Sequence, residues 1–195
     1  AATKRREDIR FLTGTGNYTD DINVNGQAYV HFLRSDVAHG RITSLDTVAA
    51  AGMPGVLRVF TGADFEGVGG LPCGWQVTDR FGEVMQEPAH PVLAQGKVRH
   101  VGDPIAAVVA ESAELARDAA EAIELEIEEL PAVIDMKAAL AEDAPKVHDD
   151  LTSNLCYDWG FVEENKDAVN KAFDDAAHVT TLELVNNRLV ANPME

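Results

Sequence analysis

Basic residues, cysteines and long apolar runs are all scarce in this chain, and each scarcity removes a class of function. Lys and Arg number 16 against 33 Asp and Glu, for a formal net charge of -17 at pH 7. A surface so charged repels nucleic acid and anionic lipid, so a basic partner or a large neighbouring subunit is the expected contact. Only two cysteines occur, Cys73 and Cys156, distant in sequence and outside any CxxC spacing. They indicate no disulfide framework, zinc site or iron–sulfur site, and the expectation is two reduced, buried thiols in a cytoplasmic protein. No apolar stretch approaches the length of a membrane span. The charged start Lys4-Arg5-Arg6-Glu7-Asp8 also lacks the hydrophobic stretch that a signal peptide requires.

Catalytic signatures are missing as well. The six histidines, His31, His39, His90, His100, His148 and His178, form no HxH or HExxH pattern and none stands in ligand spacing to a cysteine. Ser35, Ser44, Ser112 and Ser153 lie outside any GxSxG elbow. The acidic pairs Asp20-Asp21, Asp149-Asp150 and Asp174-Asp175 read as solvated surface in a chain this acidic. The glycines of "RFLTGTGNYTDD" (10–21) offer Gly14 and Gly16, but Thr19 stands at the third position of a dinucleotide loop and two carboxylates follow. A turn-rich lead-in segment, with glycines supplying positive φ, is the favoured reading. No residue is therefore assigned a catalytic, cofactor-binding or metal-binding role.

What is present is the patterning of a folded α/β domain. The 195 residues are 46% hydrophobic, and a chain of this length buries about 70% of its unfolded surface. "QAYVHFLRS" sets Tyr29, His31 and Leu33 on one face and Val30 and Phe32 on the other, as a strand does. Ile42 to Asp46 looks extended, Thr47 to Ala51 forms a short helix closed by Gly52 and Pro54, and Val56 to Phe60 returns as a strand. A second unit is clearer. Pro104 to Ala110, "PIAAVVA", reads as a strand buried on both faces, and Ser112 caps a helix with Leu115, Ala119 and Ile123 beside Ala116 and Ala120. From Glu124 the period switches to two, with Leu125 and Ile127 alternating against Glu124, Glu126 and Glu128. That glutamate row is read as solvated charge that discourages edge pairing, in preference to a cation site. Two β-α-β units point to a mixed α/β sheet.

Between the units runs a long loop, Glu66 to Lys97, rich in Gly and Pro and carrying Trp75, Phe81 and Met85. Loops of this length in compact domains are usually functional or disordered. Two readings stand: an interface element packed on something outside the chain, or a loop folded back on its own domain. After Pro145 the composition shifts to an aperiodic connector, followed by a short helix from Lys166 to Ala176 and an extended segment from His178 to Val185. The ending "NRLVANPME" carries no cap or polar tail and reads as an interruption.

Four stretches together carry a resemblance: "RREDIRFLTGTGNYTDDI", "GQAYVHFLRSDVAHGRITSLDTVAAAGMPGVLRVFTGAD", "HPVLAQGKVRHVGDPIAAVVAESAELARDAAEAIELEIEELPAVID" and "DAVNKAFDDAAHVTTLELVNNRLVANPME". The chain resembles the large, molybdenum-binding subunit of the xanthine dehydrogenase and aldehyde oxidase family, in particular the branch of aerobic carbon monoxide dehydrogenase large subunits. The resemblance implies a lead-in segment (1–26), an α/β hammerhead domain (27–144), and a connector with the start of a molybdenum-binding domain (145–195). It implies an enzyme that oxidises an aldehyde, an N-heterocycle or carbon monoxide with water as oxygen source. The full-length subunit would hold molybdopterin, in its cytosine dinucleotide form, beside an iron–sulfur small subunit with 2Fe-2S clusters and an FAD medium subunit. The family's base glutamate and pterin-contacting loops correspond to sequence beyond Glu195, so this portion is expected to be non-catalytic and to bind no cofactor itself. Family members that oxidise carbon monoxide carry a His-Pro-Ser-Pro-Leu-Glu stretch where this chain has Ala191-Asn192-Pro193-Met194-Glu195, which favours aldehyde or N-heterocycle hydroxylation. The competing reading is a stand-alone acidic interaction module with the hammerhead fold.

Overall fold

The computed structural model describes residues 5–160, 165–187 and 189. In chain order its elements are α1 (Asp8–Leu12), β1 (Tyr29–Arg34), β2 (Gly40–Asp46), α2 (Val48–Ala51), β3 (Val56–Thr61), β4 (Lys97–Val98), β5 (Pro104–Ala110), α3 (Ala113–Glu121), β6 (Glu124–Glu129) and α4 (Lys166–Asp174). The chain divides into two compact units, Ala28–Val162 and a second composed of Ala1–Gln27 with Glu163–Glu195.

The larger unit is built on two three-stranded sheets, ordered β1-β5-β3 and β4-β2-β6. The α/β class is as expected, and both strand-helix-strand units are present as β2-α2-β3 and β5-α3-β6. The sheets differ from the single mixed sheet inferred from those units. The two strands of each unit lie in different sheets, and all the pairings are antiparallel. A parallel return needs a crossover of about a dozen residues or more, and the short α2 link between β2 and β3 delivers the chain to the other sheet instead.

The strand β5 lies at the centre of its sheet, and Ile105, Ala106 and Val108 are wholly buried. Ala106 and Val108 meet Ala119, Ala120 and Ile123 of the α3 region and Ala50 of α2 in one core cluster. Alanines along α3 let its backbone lie close on the sheet, so the cluster is dense despite its small side chains. The Ser112 hydroxyl caps α3 by accepting a hydrogen bond from the Leu115 N–H at 3.3 Å. Ile105, on the opposite face of β5, joins Ala94 and Val98 in a second cluster that Ile42, Leu125 and Ile127 close from the other sheet. One strand thus contributes to both cores. The edge strand β6 keeps Glu124, Glu126 and Glu128 in solvent while Leu125 and Ile127 face inward.

The smaller unit holds α1, α4 and irregular chain, and none of its described residues is buried. Gly14 adopts φ +69°, as the turn reading requires, whereas Gly16 is needed for space: an added Cβ would lie 3.1 Å from the Phe11 ring, which stacks on Tyr18 at 5.5 Å. Asp21 closes the following turn by accepting the Tyr18 N–H at 2.9 Å. The helix α1 precedes these glycines, the reverse of the order in a phosphate-binding loop.

Candidate interface surfaces

The long loop settles on its own unit through its backbone while leaving its apolar side chains open. Leu71 N–H donates to the His90 carbonyl at 2.8 Å, and Thr78 and Val84 form an antiparallel bridge. Gln86 N–H donates to Cys156 and Arg80 N–H to Asp158, both at 2.9 Å, so the connector zips onto the loop. The Arg80 guanidinium also pairs with the Asp158 carboxylate. Inside the loop, Glu87 accepts from the Cys73 N–H at 2.6 Å and the Gln76 amide at 2.5 Å. Those two donors, the amide first, hold its carboxyl below the usual carboxylate range. Yet Trp75 is 80% exposed and Phe81 73%, while Met85 is half-buried. The folded-back reading describes the backbone, and the interface reading describes the side chains.

Both cysteines are exposed, which corrects the expectation of buried thiols. They sit on the two chain segments that the loop and connector bring together, with Cys73 Sγ–H donating to Trp75 O at 3.2 Å and Cys156 Sγ–H to Gln86 O at 3.1 Å. Partial burial, with Cys73 and Glu87 nearby, pushes the Cys156 thiol pKa up, so it is a poor nucleophile.

A second open surface is the outer face of the β1-β5-β3 sheet. Register places Val30 opposite Val109, and both Phe32 and Phe60 opposite Ala107. Arg34 lies over the Phe32 ring at 5.4 Å and Arg58 over Phe60 at 5.3 Å, so two cations crown an apolar face. In the smaller unit, Val169 and Phe173 of α4 are likewise exposed, as are Leu182, Leu184, Val185 and Leu189. Val190 and the Ala191–Glu195 stretch lie outside the described residues.

The polar candidates from the sequence separate into structural roles. His39 is buried and its Nδ1 donates to the Pro131 carbonyl at 2.8 Å, while its Nε2 is buried without a partner. His31 sits half-buried on β1, and exposed His178 contacts the Thr180 hydroxyl through Nε2 at 3.2 Å. Of the acidic pairs, Asp21 caps a turn, Asp175 pairs with Lys171 at 2.8 Å, and Asp149 receives Lys97 Nζ on both oxygens at 2.7 and 2.9 Å. Lys97 is buried, so Asp149 neutralises a charge inside the fold, and that contact holds the Asp149 carboxyl below its usual range. His90, His100 and His148, spread over 59 positions, line one cavity with Arg99 and Asp103. Nothing in their spacing signalled this convergence.

Among the described residues no group of three His, Cys, Asp or Glu side chains could hold a metal ion. A cavity of about 500 Å³ is lined by Ile42, Leu45, Thr61, Gly62, Ala94 and Gln95, with Glu66 as the charged group in its lining. Such a lining does not fit the anionic phosphate of a pterin cofactor. No described helix is long and apolar enough to cross a membrane.

Two antiparallel sheets bridged by short helices, with open apolar faces, define an α/β domain. The chain belongs to the aldehyde oxidase and xanthine dehydrogenase a/b hammerhead domain family, whose model matches residues 13–131. It is 38% identical over 195 residues to the nicotine 6-hydroxylase large subunit of Paenarthrobacter nicotinovorans, covering 98% of this chain and 22% of that protein. The crystal structure of quinoline 2-oxidoreductase from Pseudomonas putida 86 aligns at TM-score 0.67 and 40% identity, over 80% of this chain and 19% of that one. That of the Cu,Mo-CO dehydrogenase aligns at TM-score 0.66 and 32% identity, over 90% and 22%. The chain thus spans about a fifth of the length of the proteins it matches.

Proposed function

We propose that this chain is the N-terminal portion of the large subunit of a molybdenum-dependent hydroxylase, and that it supplies packing surfaces rather than chemistry. The carrying observation is likeness along 98% of the chain to a hydroxylase large subunit several times longer, combined with apolar faces that the chain does not cover itself. In this reading residues 1–26 form a lead-in, 27–144 the hammerhead and 145–195 the approach to a molybdenum-binding domain. None of the chain's own residues is catalytic or holds the cofactor. The complete subunit carries molybdopterin as the cytosine dinucleotide and delivers electrons to 2Fe-2S and FAD partner subunits in the cytoplasm. In the complete subunit the molybdenum group would supply the oxygen-transfer chemistry, and this chain would supply packing surfaces alone.

Aldehyde or N-heterocycle oxidation is the favoured substrate class, because Ala191–Glu195 departs from the carbon monoxide pattern and two of the similar proteins are named for nicotine and quinoline. A stand-alone interaction module is disfavoured by the same whole-length likeness. The test is to capture the native polypeptide from its own cells and measure its mass and metal content. A product several times longer than 195 residues, carrying molybdenum with flavin and iron partners, is expected. A metal-free product in a stable complex overturns the reading.

A further inference from the structure

The turn between β4 and β5 builds a site that the packing role does not require. Arg99 and His100 follow β4 directly, and the chain then turns through Gly102, at φ +88°, to Asp103. Three contacts pin this turn to the end of β1: Ser35 N–H donates to Asp103 O at 2.9 Å, Gly102 N–H to Ser35 O at 2.7 Å, and the Arg34 guanidinium to Gly102 O at 2.8 Å. His90 meets His100 edge-on at 6.4 Å, and His148 of the connector completes a cavity of about 260 Å³ with rigid walls at Pro88 and Pro91. That volume accommodates several waters, at about 30 Å³ each in the liquid.

The charges around this cavity are unevenly matched. Asp103 is buried and its Oδ2 already accepts the Arg99 N–H at 2.9 Å, with His100 Nδ1 3.7 Å away. Asp149 spends both oxygens on buried Lys97. Arg99 lines the cavity, and its Nε is buried away from solvent with no hydrogen-bond partner. Arginine cannot ligate a metal ion and presents a fork of donors suited to carboxylate or phosphate. In a chain of net charge -17, this lining is locally balanced, Arg99 against Asp103, and its three imidazoles add positive charge when protonated.

We propose that the cavity of Arg99, His90, His100 and His148 binds a small oxyanion, a carboxylate or phosphate group, with Arg99 as the principal donor. This inference stands apart from the hydroxylase reading, since it concerns only groups this chain carries. The charged and titratable groups facing the cavity are the three histidines, Arg99 and Asp103, with Lys97, Asp149 and Asp150 around His148. Burial and then the Arg99 charge hold the His148 imidazole pKa below its ordinary value, so a bound anion shifts it back up.

The test follows the histidine ring resonances of the full chain by NMR while inorganic phosphate or malonate is added, with chloride at matched ionic strength as control. Saturable shifts of His90, His100 and His148 are expected with tighter binding near pH 6 than near pH 8, and with affinity about tenfold weaker in Arg99→Gln. Titration by malonate alone identifies a carboxylate site, and by phosphate alone a phosphate site. Shifts no larger than with chloride, or unchanged affinity in Arg99→Gln, overturn the proposal. Should Arg99→Gln fail to fold, His148→Asn serves in its place: the proposal requires it to flatten the pH dependence of binding, and an unaltered dependence counts against it.

Discussion

The two units of this chain use similar apolar residues to opposite effect. In the larger one, Ile105, Val108 and Val98 lose all contact with water because two sheets and α3 close over them. In the smaller one, α4 sets Val169 and Phe173 on one face, and both remain exposed. An amphipathic period therefore states only that a face seeks cover; burial depends on whether another element of the same chain supplies it. The alanines of α3 and the flanking β6 supply it in one unit. Nothing described within the other does.

The sharpest way to break this contrast is to truncate a residue on each side of it. Ile105→Ala is expected to cost about 2–5 kcal/mol in urea unfolding of the full chain, since it empties the second core, where β5 meets the other sheet. A loss below 1 kcal/mol, on the order of an exposed site, would show that the two sheets are not joined there. Gly70→Ala comes next, because its Cβ would stand 2.5 Å from the His90 backbone; a loss of about 1–3 kcal/mol, with faster proteolysis of the 66–97 loop, is expected. Ser112→Ala removes the cap of α3 and is expected to cost about 1 kcal/mol, while Ser112→Asp retains most of it.

Acid titration sharpens the comparison further. The folded His148 pKa lies below its unfolded value of about 6.5, so folding disfavours its protonation. Its contribution to stability is complete above that pH and is lost as pH falls from there to the folded value. Urea midpoints measured stepwise from neutral to mildly acidic pH should decline for the native chain and decline less for His148→Asn. The smallest effect belongs to Phe173→Ser, expected to stay within about 0.5 kcal/mol while reducing self-association in sedimentation. A large loss there would mean that α4 is covered after all.

Much of the larger unit was legible from residues alone. The run Pro104–Ala110, the Ser112 cap and the alternation of Glu124 to Glu128 each translated into an element at the expected place, because each is a local pattern enforced by backbone sterics and side-chain period. The five-residue α1 was not read, being too short to express a helical period. The exposure of Cys73 and Cys156 was missed because it depends on the loop and the connector pairing across 70 to 78 positions. The gathering of His90, Arg99, His100 and His148 was hidden for the same reason.

By itself, the sequence determined most strands and helices of the larger unit, the acidic balance and the absence of any catalytic signature, since these rest on composition and on contacts within a few residues. Only the tertiary structure decided that the strands part into two antiparallel sheets, that Asp149 neutralises buried Lys97, and that Arg99 joins three histidines around one cavity. Those outcomes depend on distant segments arriving together, where a crossover too short for a parallel return and the cost of an unpaired buried charge select the arrangement.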